Sequence, residues 1–252
     1  MGPNAGKELN DNAWQDSRIS KTGAFATYHG HRSNLEIVAS GRIELNQSKA
    51  YDLSPEYLRL YEDSKITQFN PGASLGFIRH LEDAIAIGLW MGRTQRSASI
   101  TERHIYYFPV GQDPYEMVGN PNLKPEVNNQ IDFTFEIRTA TSKINFDAFS
   151  AYLQNYISSE IKNELSPGLP NSPGVRQFIN LKNALSTGFK ISYSQDLSAR
   201  IRHSAQIAYT YAKRLDIQDP LPEIAPLDVT LRSFWQLKKA THSSFYTIEV
   251  CA

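Results

Sequence analysis

Gln130-Ile131-Asp132-Phe133-Thr134-Phe135-Glu136-Ile137 decides the fold of this chain. Odd positions are apolar and even positions polar, so an extended backbone puts a greasy face opposite a wet one. A helix would scatter the same residues around its circumference. The pattern recurs along the chain. Leu185, Phe189, Ile191 and Tyr193 oppose Ser186, Lys190, Ser192 and Ser194, and Ile201, Ala205, Ile207, Tyr209 and Tyr211 oppose Arg202, Ser204, Gln206 and Thr210. Leu227, Val229, Leu231 and Trp235 oppose Asp228, Thr230, Arg232 and Gln236. Near the start, Leu35, Ile37, Ala39, Ile43 and Leu45 oppose Glu36, Ser40, Arg42, Glu44 and Asn46. The chain therefore reads as all-β, built from antiparallel strands with one apolar face.

Extending these runs gives ten strands, at 18–30, 34–47, 72–80, 83–96, 126–138, 143–157, 178–195, 199–214, 224–237 and 241–251. Short polar turns are expected at 31–33, 81–82, 139–142, 196–198 and 238–240, and longer connections at 48–71, 97–125, 158–177 and 215–223. Short and long alternate strictly. Tight turns at one end and long loops at the other are the arrangement of a transmembrane β-barrel in up-and-down hairpins. A soluble meander or sandwich would alternate too, but its strands average about five or six residues, and most of these are at least twice as long. On the apolar face Tyr28, Tyr193 and Trp235 lie toward the turns, and Tyr152, Tyr209 and Tyr211 toward the loops. Those are the positions of interfacial aromatic girdles.

Composition removes other classes. Apolar residues make up 40%, and 26 basic residues balance 26 acidic ones to a net charge of zero. The basic excess that nucleic acid would select is missing, so no nucleic-acid partner is expected. No window approaches the ~20 consecutive apolar residues of a membrane helix, whereas a barrel strand needs only ~9–11 residues, alternately apolar. The one cysteine, Cys251, cannot form an intrachain disulfide. Met1-Gly2-Pro3-Asn4 lacks the basic and apolar regions of a secretory signal. Residues 1–17 read as a loop or linker within a single partial barrel domain covering 1–252.

Gly119-Asn120-Pro121-Asn122-Leu123-Lys124-Pro125-Glu126 resembles the "NPxLKPE" signature of TonB-dependent outer-membrane receptors, which likewise leads into a barrel strand. Thr101-Glu102-Arg103-His104 with Tyr106-Tyr107-Phe108 resembles the loop before that signature. Asn180 to Gly188 resembles the family's "N…A…G" pattern, and Leu221 to Leu227 its "LPxIPPL" pattern, with Ala225 where proline is common. The resemblance implies localisation in the bacterial outer membrane and energy-dependent, TonB-coupled uptake of a scarce nutrient such as an iron-siderophore or other metal chelate. It implies outer-membrane lipid, a plug domain and the TonB complex as partners. Barrels of this kind have ~22 strands around a plugged lumen, so ten strands are expected to form an open part of a larger barrel, without the plug and the last strands. A passive porin and a self-closed ten-stranded barrel hydrolase are the alternatives.

Asn120, Pro121, Leu123, Lys124, Pro125 and Glu126 are expected to shape the barrel. The two prolines fix φ and restrict the residues before them, holding an extended segment where the chain re-enters the sheet. Arg93, Arg96, Arg103, His104, Tyr106 and Tyr107 form a basic and aromatic group at the loop end, suited to an anionic, aromatic chelate through charge-assisted bonds and stacking. His29 and His31 share a strand face beside a turn, and His80, His203 and His242 also adjoin turns; solvated surface is the expected role, with no metal site. There is no nucleophile elbow, no His-Glu-x-x-His and no phosphate-binding glycine loop, so no catalytic residue, enzyme activity or cofactor is expected. Glu36, Arg42, Glu44, Asp132, Glu136, Lys190, Arg202 and Arg232 fall on the polar face, where they are expected to pair with one another and meet the plug.

Overall fold

The computed structural model describes residues 13–53, 55–61, 65–109, 113–221, 224–225, 227–236 and 243–251. Its elements are β1 (Asp16–Arg32), β2 (Leu35–Asp52), α1 (Pro55–Leu60), β3 (Lys65–Glu82), β4 (Ile85–Arg96), α2 (Ile100–His104), β5 (Tyr106–Pro109), β6 (Glu116–Val118), β7 (Glu126–Arg138), β8 (Ser142–Ile161), β9 (Val175–Ser198), β10 (Ile201–Arg214), β11 (Asp228–Gln236) and β12 (Ser243–Cys251). Ten of them lie side by side in the order β1-β2-β3-β4-β7-β8-β9-β10-β11-β12, every neighbouring pair antiparallel. Among the described residues β1 pairs only with β2 and β12 only with β11, so the sheet is open.

The alternating faces survive in the register. Phe133 lies opposite Leu89 and Ala148, Ala148 opposite Phe189, and Phe189 opposite Tyr209. Ile207 lies opposite Val229, and Ile201 opposite Trp235. These residues form an apolar outer face. On the inner face, Thr134 lies opposite Asp147, Asp147 opposite Lys190, and Ser204 opposite Arg232. From Leu35 to Leu45 the outer face of β2 runs ten steps, about 34 Å along the strand. At a tilt of about 40° that is a band about 26 Å tall, close to the ~25 Å apolar belt of outer-membrane barrels. The inner face is not wholly polar: Trp90 lies over Gly76 and Phe149 over Gly188, each ring occupying space that a Cβ on the glycine would need.

Several boundaries differ from the sequence reading. The second turn is Asp83–Ala84 instead of 81–82, because the register shifts by one residue between His80 and Glu82. The fourth is Ala199–Arg200, since β9 continues to Ser198; the first is Ser33–Asn34, with Ser33 at a φ of 53°. The turn expected at 238–240 lies outside the described residues, as does His242. β3 begins at Lys65, seven residues before the expected 72. Its outer-face Phe69, Thr67 and Lys65 continue the ladder above the apolar band. The loops carry what alternation could not show: two short helices and the strands β5 and β6. β6 pairs in parallel with β9, an exception to the otherwise antiparallel sheet.

Buried residues collect at the loop end. One cluster joins Leu153, Leu181, Ala184, Ala212 and Leu221, and another joins Ala98, Leu123 and Ile157 with Phe178 packed against it. The loops fold onto the inner face of the sheet and build a small core of their own there.

Candidate functional site: the folded loops over the inner face

Loop 97–125 is anchored from its first residues. Ser99 caps α2 with a reciprocal pair of bonds: Glu102 N–H donates to Ser99 Oγ (3.2 Å) and Ser99 N–H to Glu102 Oε2 (2.6 Å). Arg96, the last residue of β4, reaches both Glu102 (3.0 Å) and Glu126 (3.2 Å). Burial alone would raise the Glu102 carboxyl, but the bonds from Arg96 and Ser99 outweigh it and hold the group below its usual range. Arg96 thus ties the loop's start to its end.

The Asn120–Glu126 segment forms the second anchor. Asn120 Oδ1 accepts from Asn122 N–H (2.9 Å) in an Asx turn, and its Nδ2 donates to Phe178 O (3.1 Å). Leu123 is buried between Ala98 and Ile157. Lys124 N–H donates to Asn180 Oδ1 (2.8 Å), while Asn180 Nδ2 donates to Lys124 O (3.1 Å) and Asn155 O (2.8 Å). Asn155 sits at a φ of 52°, a conformation asparagine tolerates better than most residues. Glu126 Oε2 accepts from Ile157 N–H (2.9 Å). The motif therefore staples the loop to β8 and β9.

Between these anchors lies a buried polar knot. His104 Nε2 is 2.7 Å from Ser48 Oγ on β2, and His104 Nδ1 is 3.3 Å from Tyr57 Oη. The Tyr57 hydroxyl donates to Arg103 O at 2.9 Å. Because that bond uses its only proton, the His104 ring carries its own proton on Nδ1, and Nε2 accepts from Ser48. Burial, reinforced by the neighbouring Arg103 guanidinium, pushes the His104 pKa down to about 4. Arg103, fully buried, donates to Gln68 Oε1 on β3 (2.5 Å). Burial pushes the Tyr57 and Tyr61 hydroxyls well above the usual phenol range. Tyr61 Oη donates to Gly119 O (2.9 Å) and accepts from Gln177 Nε2 (2.5 Å). Tyr106 packs edge-on to both Tyr57 and Tyr107, with ring centroids 6.1 and 4.9 Å apart. Tyr107 holds a φ of 46°, a conformation rare for an aromatic residue and concentrated at functional positions.

The six residues grouped from the sequence are therefore only partly together. Arg93 is on the outer face, where its guanidinium donates to Asn129 Oδ1 (2.6 Å). Arg96, three residues on, is on the inner side. Arg103 and His104 are interior, and Tyr106 and Tyr107 are half-buried on the knot. Residues not singled out from sequence complete the site: Ser48, Tyr57, Tyr61, Gln68 and Glu116. Glu116 is buried and accepts from Gly168 and Leu169 N–H (2.8 and 2.5 Å), tying the third loop to the second. None of these five carried a signal in the sequence; nearby, only α2 did, through the Ser99-x-x-Glu102 capping pattern. On the inner wall, Arg138 and Lys143 pair with Glu136 (2.7 and 3.0 Å), Arg42 with Glu44 (2.6 Å), and His80 with Glu36 (2.9 Å). No group of three or more metal-ligating side chains occurs among the described residues.

Comparison with known proteins places this architecture. The profile of the family described as TonB dependent receptor-like, beta-barrel, matches residues 2–248. The chain superposes on the copper transporter OprC with a TM-score of 0.74 at 16% identity, covering 94% of this chain and 35% of that one. The FrpB iron transporter from Neisseria meningitidis gives 0.64 at 11% identity, with coverages of 93% and 33%. The siderophore receptor PirA from Pseudomonas aeruginosa gives 0.58 at 15% identity, with coverages of 92% and 50%. The chain thus spans between a third and a half of the length of these structures. No curated protein matches its sequence. The profile match over nearly all residues, with the shared barrel architecture, makes this chain a member of the TonB-dependent receptor family, formed from part of its β-barrel domain.

Proposed function

We propose that the chain forms the outward-opening wall and loop cap of an outer-membrane receptor that captures a scarce nutrient, a metal chelate such as an iron-siderophore, and imports it with energy delivered through TonB. The observation that carries this reading is the cap itself. Buried bonds fix loop 97–125 over the polar inner wall, presenting Tyr106 and Tyr107 at the loop end on a rigid base. A passive pore gains nothing from an ordered aromatic platform above its channel, whereas a receptor gains pre-organisation for its ligand. The similarity to copper and iron transporters and a siderophore receptor supports the metal-chelate class. In this reading the charged inner wall faces a plug domain, and the outer face contacts lipid. Neither role requires catalysis.

The test is uptake by bacterial cells that depend on the protein containing this chain. Labelled ferric chelates are supplied with and without dissipation of the proton-motive force. Uptake that saturates, stops when the force is dissipated and weakens in the Tyr106→Ala, Tyr107→Ala double variant supports the reading. Uptake that is linear in concentration and indifferent to the force would instead establish a passive pore.

A further inference from the structure

The ten-stranded sheet is open, but at its loop end a strap joins β1 to β9. Segment 13–15 runs straight into β1 and meets the start of β5 in an antiparallel bridge, with Trp14 opposite Ile105. Gln15 N–H donates to His104 O (3.0 Å), and Tyr106 N–H donates to Ala13 O (3.0 Å). β5 pairs with β6, and β6 pairs in parallel with β9. Backbone pairing therefore runs around a ring. It passes from β1 through β2, β3, β4, β7 and β8 to β9, then back through β6, β5 and segment 13–15 to β1. Ile105 and Val118, both fully buried, belong to the strap itself, and His104 ties it to Ser48 on β2.

The joints of this ring are unequal. β5–β6 and β6–β9 each hold three residue pairs, and the Glu116 carboxylate reinforces the second by accepting from Gly168 and Leu169 N–H. The joint at Trp14 is one pair. It is supported by the indole bond to Thr101 Oγ1 (3.3 Å) and a tilted contact with Phe108, ring centroids 6.1 Å apart, and Trp14 stays 44% exposed. Sparse pairing beside solvent opens before dense pairing in a core. A second feature opposes closure. Arg103 is fully buried, yet its Nε and Nη1 have no hydrogen-bond partner, and the fully buried Asn46 amide has none at either atom. Asn46 lies opposite Gln68, the acceptor of Arg103 Nη2, so these groups share one corner of the knot. Buried donors without acceptors penalise the closed state against one in which water reaches them. We propose that the Trp14–Ile105 bridge is the latch of a gate. The closed strap shuts over the inner wall between β1 and β9, and it opens by releasing segment 13–15 from β5 while the Asn120–Glu126 staple stays on β8 and β9. In the receptor proposed above, on which this inference rests, that release admits a ligand to the wall beneath.

The experiment uses the receptor containing this chain, purified in detergent micelles for native-state hydrogen exchange and carried by cells for ferric chelate uptake. The Gln15 and Tyr106 amides should exchange about tenfold faster than those of Gly119 and Asn120, a margin worth one or two hydrogen bonds. The latter pair donate to Ile105 O (2.8 Å) and Glu102 O (2.9 Å) within the loop. Trp14→Ala should speed exchange at Gln15 and Tyr106 about tenfold more. Because their neighbours carry the backbone bonds, Trp14 and Ile105 are a non-hydrogen-bonded pair, whose Cα atoms stand about 4.5 Å apart, a separation a disulfide spans. In a Cys251→Ser background, W14C/I105C should lose uptake when oxidised and regain it on reduction, which separates a locked gate from a misfolded one. Gly119 and Asn120 exchanging as fast as Gln15 and Tyr106 would overturn the proposal, and so would uptake unchanged by oxidation. Exchange is read without ligand. If the parent takes up no chelate, the receptor reading fails, and the order of exchange still decides whether Trp14 is the latch.

Discussion

Between pH 6.5 and 5, acid should loosen loop 97–125 through one residue. His104 is 1% exposed and held neutral, with a pKa pushed down to about 4 from an ordinary 6.5 by burial and the adjacent Arg103 guanidinium. When the loop opens, the ring returns to water and its ordinary value. Between those two values the open form binds the proton and the closed form does not, so closure weakens as pH falls. Above about pH 6.5 the group has no effect, and below about pH 4 it adds nothing further. The full shift corresponds to about 3 kcal/mol, and at pH 5 the linkage gives about 2 kcal/mol, or roughly thirtyfold in the opening equilibrium. Trp14 is a suitable reporter, because its Nε1 donates to Thr101 Oγ1 (3.3 Å) and its backbone bridges to Ile105. Emission from a protein with Trp90 and Trp235 replaced by Phe would follow opening in denaturant between pH 7.5 and 4. The expected result is an opening free energy that is flat above pH 6.5 and falls steeply toward pH 4.5. In His104→Gln the slope between pH 6.5 and 5 should vanish, and what remains below pH 5 belongs to Glu102, whose carboxyl the closed loop holds below its usual range. An identical slope in that variant would refute the reasoning, because the proton would then be binding elsewhere.

Three further outcomes follow from the geometry. Phe133→Arg, on the outer face, should cost about 2–4 kcal/mol in a bilayer refolding assay, and Thr134→Arg, on the inner face, far less; equal costs would reverse the assignment of faces. Gly119→Ala should destabilise the closed loop by about 1–3 kcal/mol, because a methyl there falls within 2.6 Å of the Arg103 carbonyl group and the His104 nitrogen, all backbone atoms. Normal proteolytic resistance of residues 97–125 in that variant would show that the close approach is not needed. Asn180→Ala removes three bonds to Lys124 and Asn155. It should cost about 2 kcal/mol, read as a lowered urea midpoint of the loop transition.

The barrel wall was legible because parity has only two values. Once Ile131, Phe133 and Phe135 are placed outward, every paired residue on neighbouring strands follows by register. Turn positions were less secure, since a shift as small as that beside Leu81 moves a turn by two residues without disturbing alternation elsewhere. The loops obey no period. Arg93, Arg103 and His104 looked alike as polar residues near one another in sequence. Strand parity sends Arg93 outward, whereas Tyr57, forty-six residues before Arg103, closes over the other two. That partner belongs to a different loop, and no local pattern announces it. The Asn120–Glu126 segment was recognisable as a motif, but its function as a staple depends on Asn180 and Asn155, whose backbones become neighbours only when β8 and β9 pair.

Wall and cap draw their stability from different solvents. Among the described residues the outer-face side chains at Ile131, Phe133, Ile207, Tyr209, Leu231 and Trp235 remain well exposed, so within the chain they gain little from burial. Their favourable transfer requires hydrocarbon around them. The cap is the reverse: Leu123, Val118, Ile105 and Tyr57 are buried by protein alone, and His104, one Arg103 nitrogen and the Lys124 backbone are bonded to Ser48, Gln68 and Asn180. Changing the lipid should therefore act on the wall and spare the cap, while protonating His104 acts on the cap and spares the wall. The strands join the two regions rigidly, since β2 carries both the outer-face Leu45 and, three residues on, the inner-face Ser48 that receives His104. A loop can then open over an unmoved rim. In the receptor proposed above, such a division would let a binding surface move without breaching the membrane seal on which its position depends.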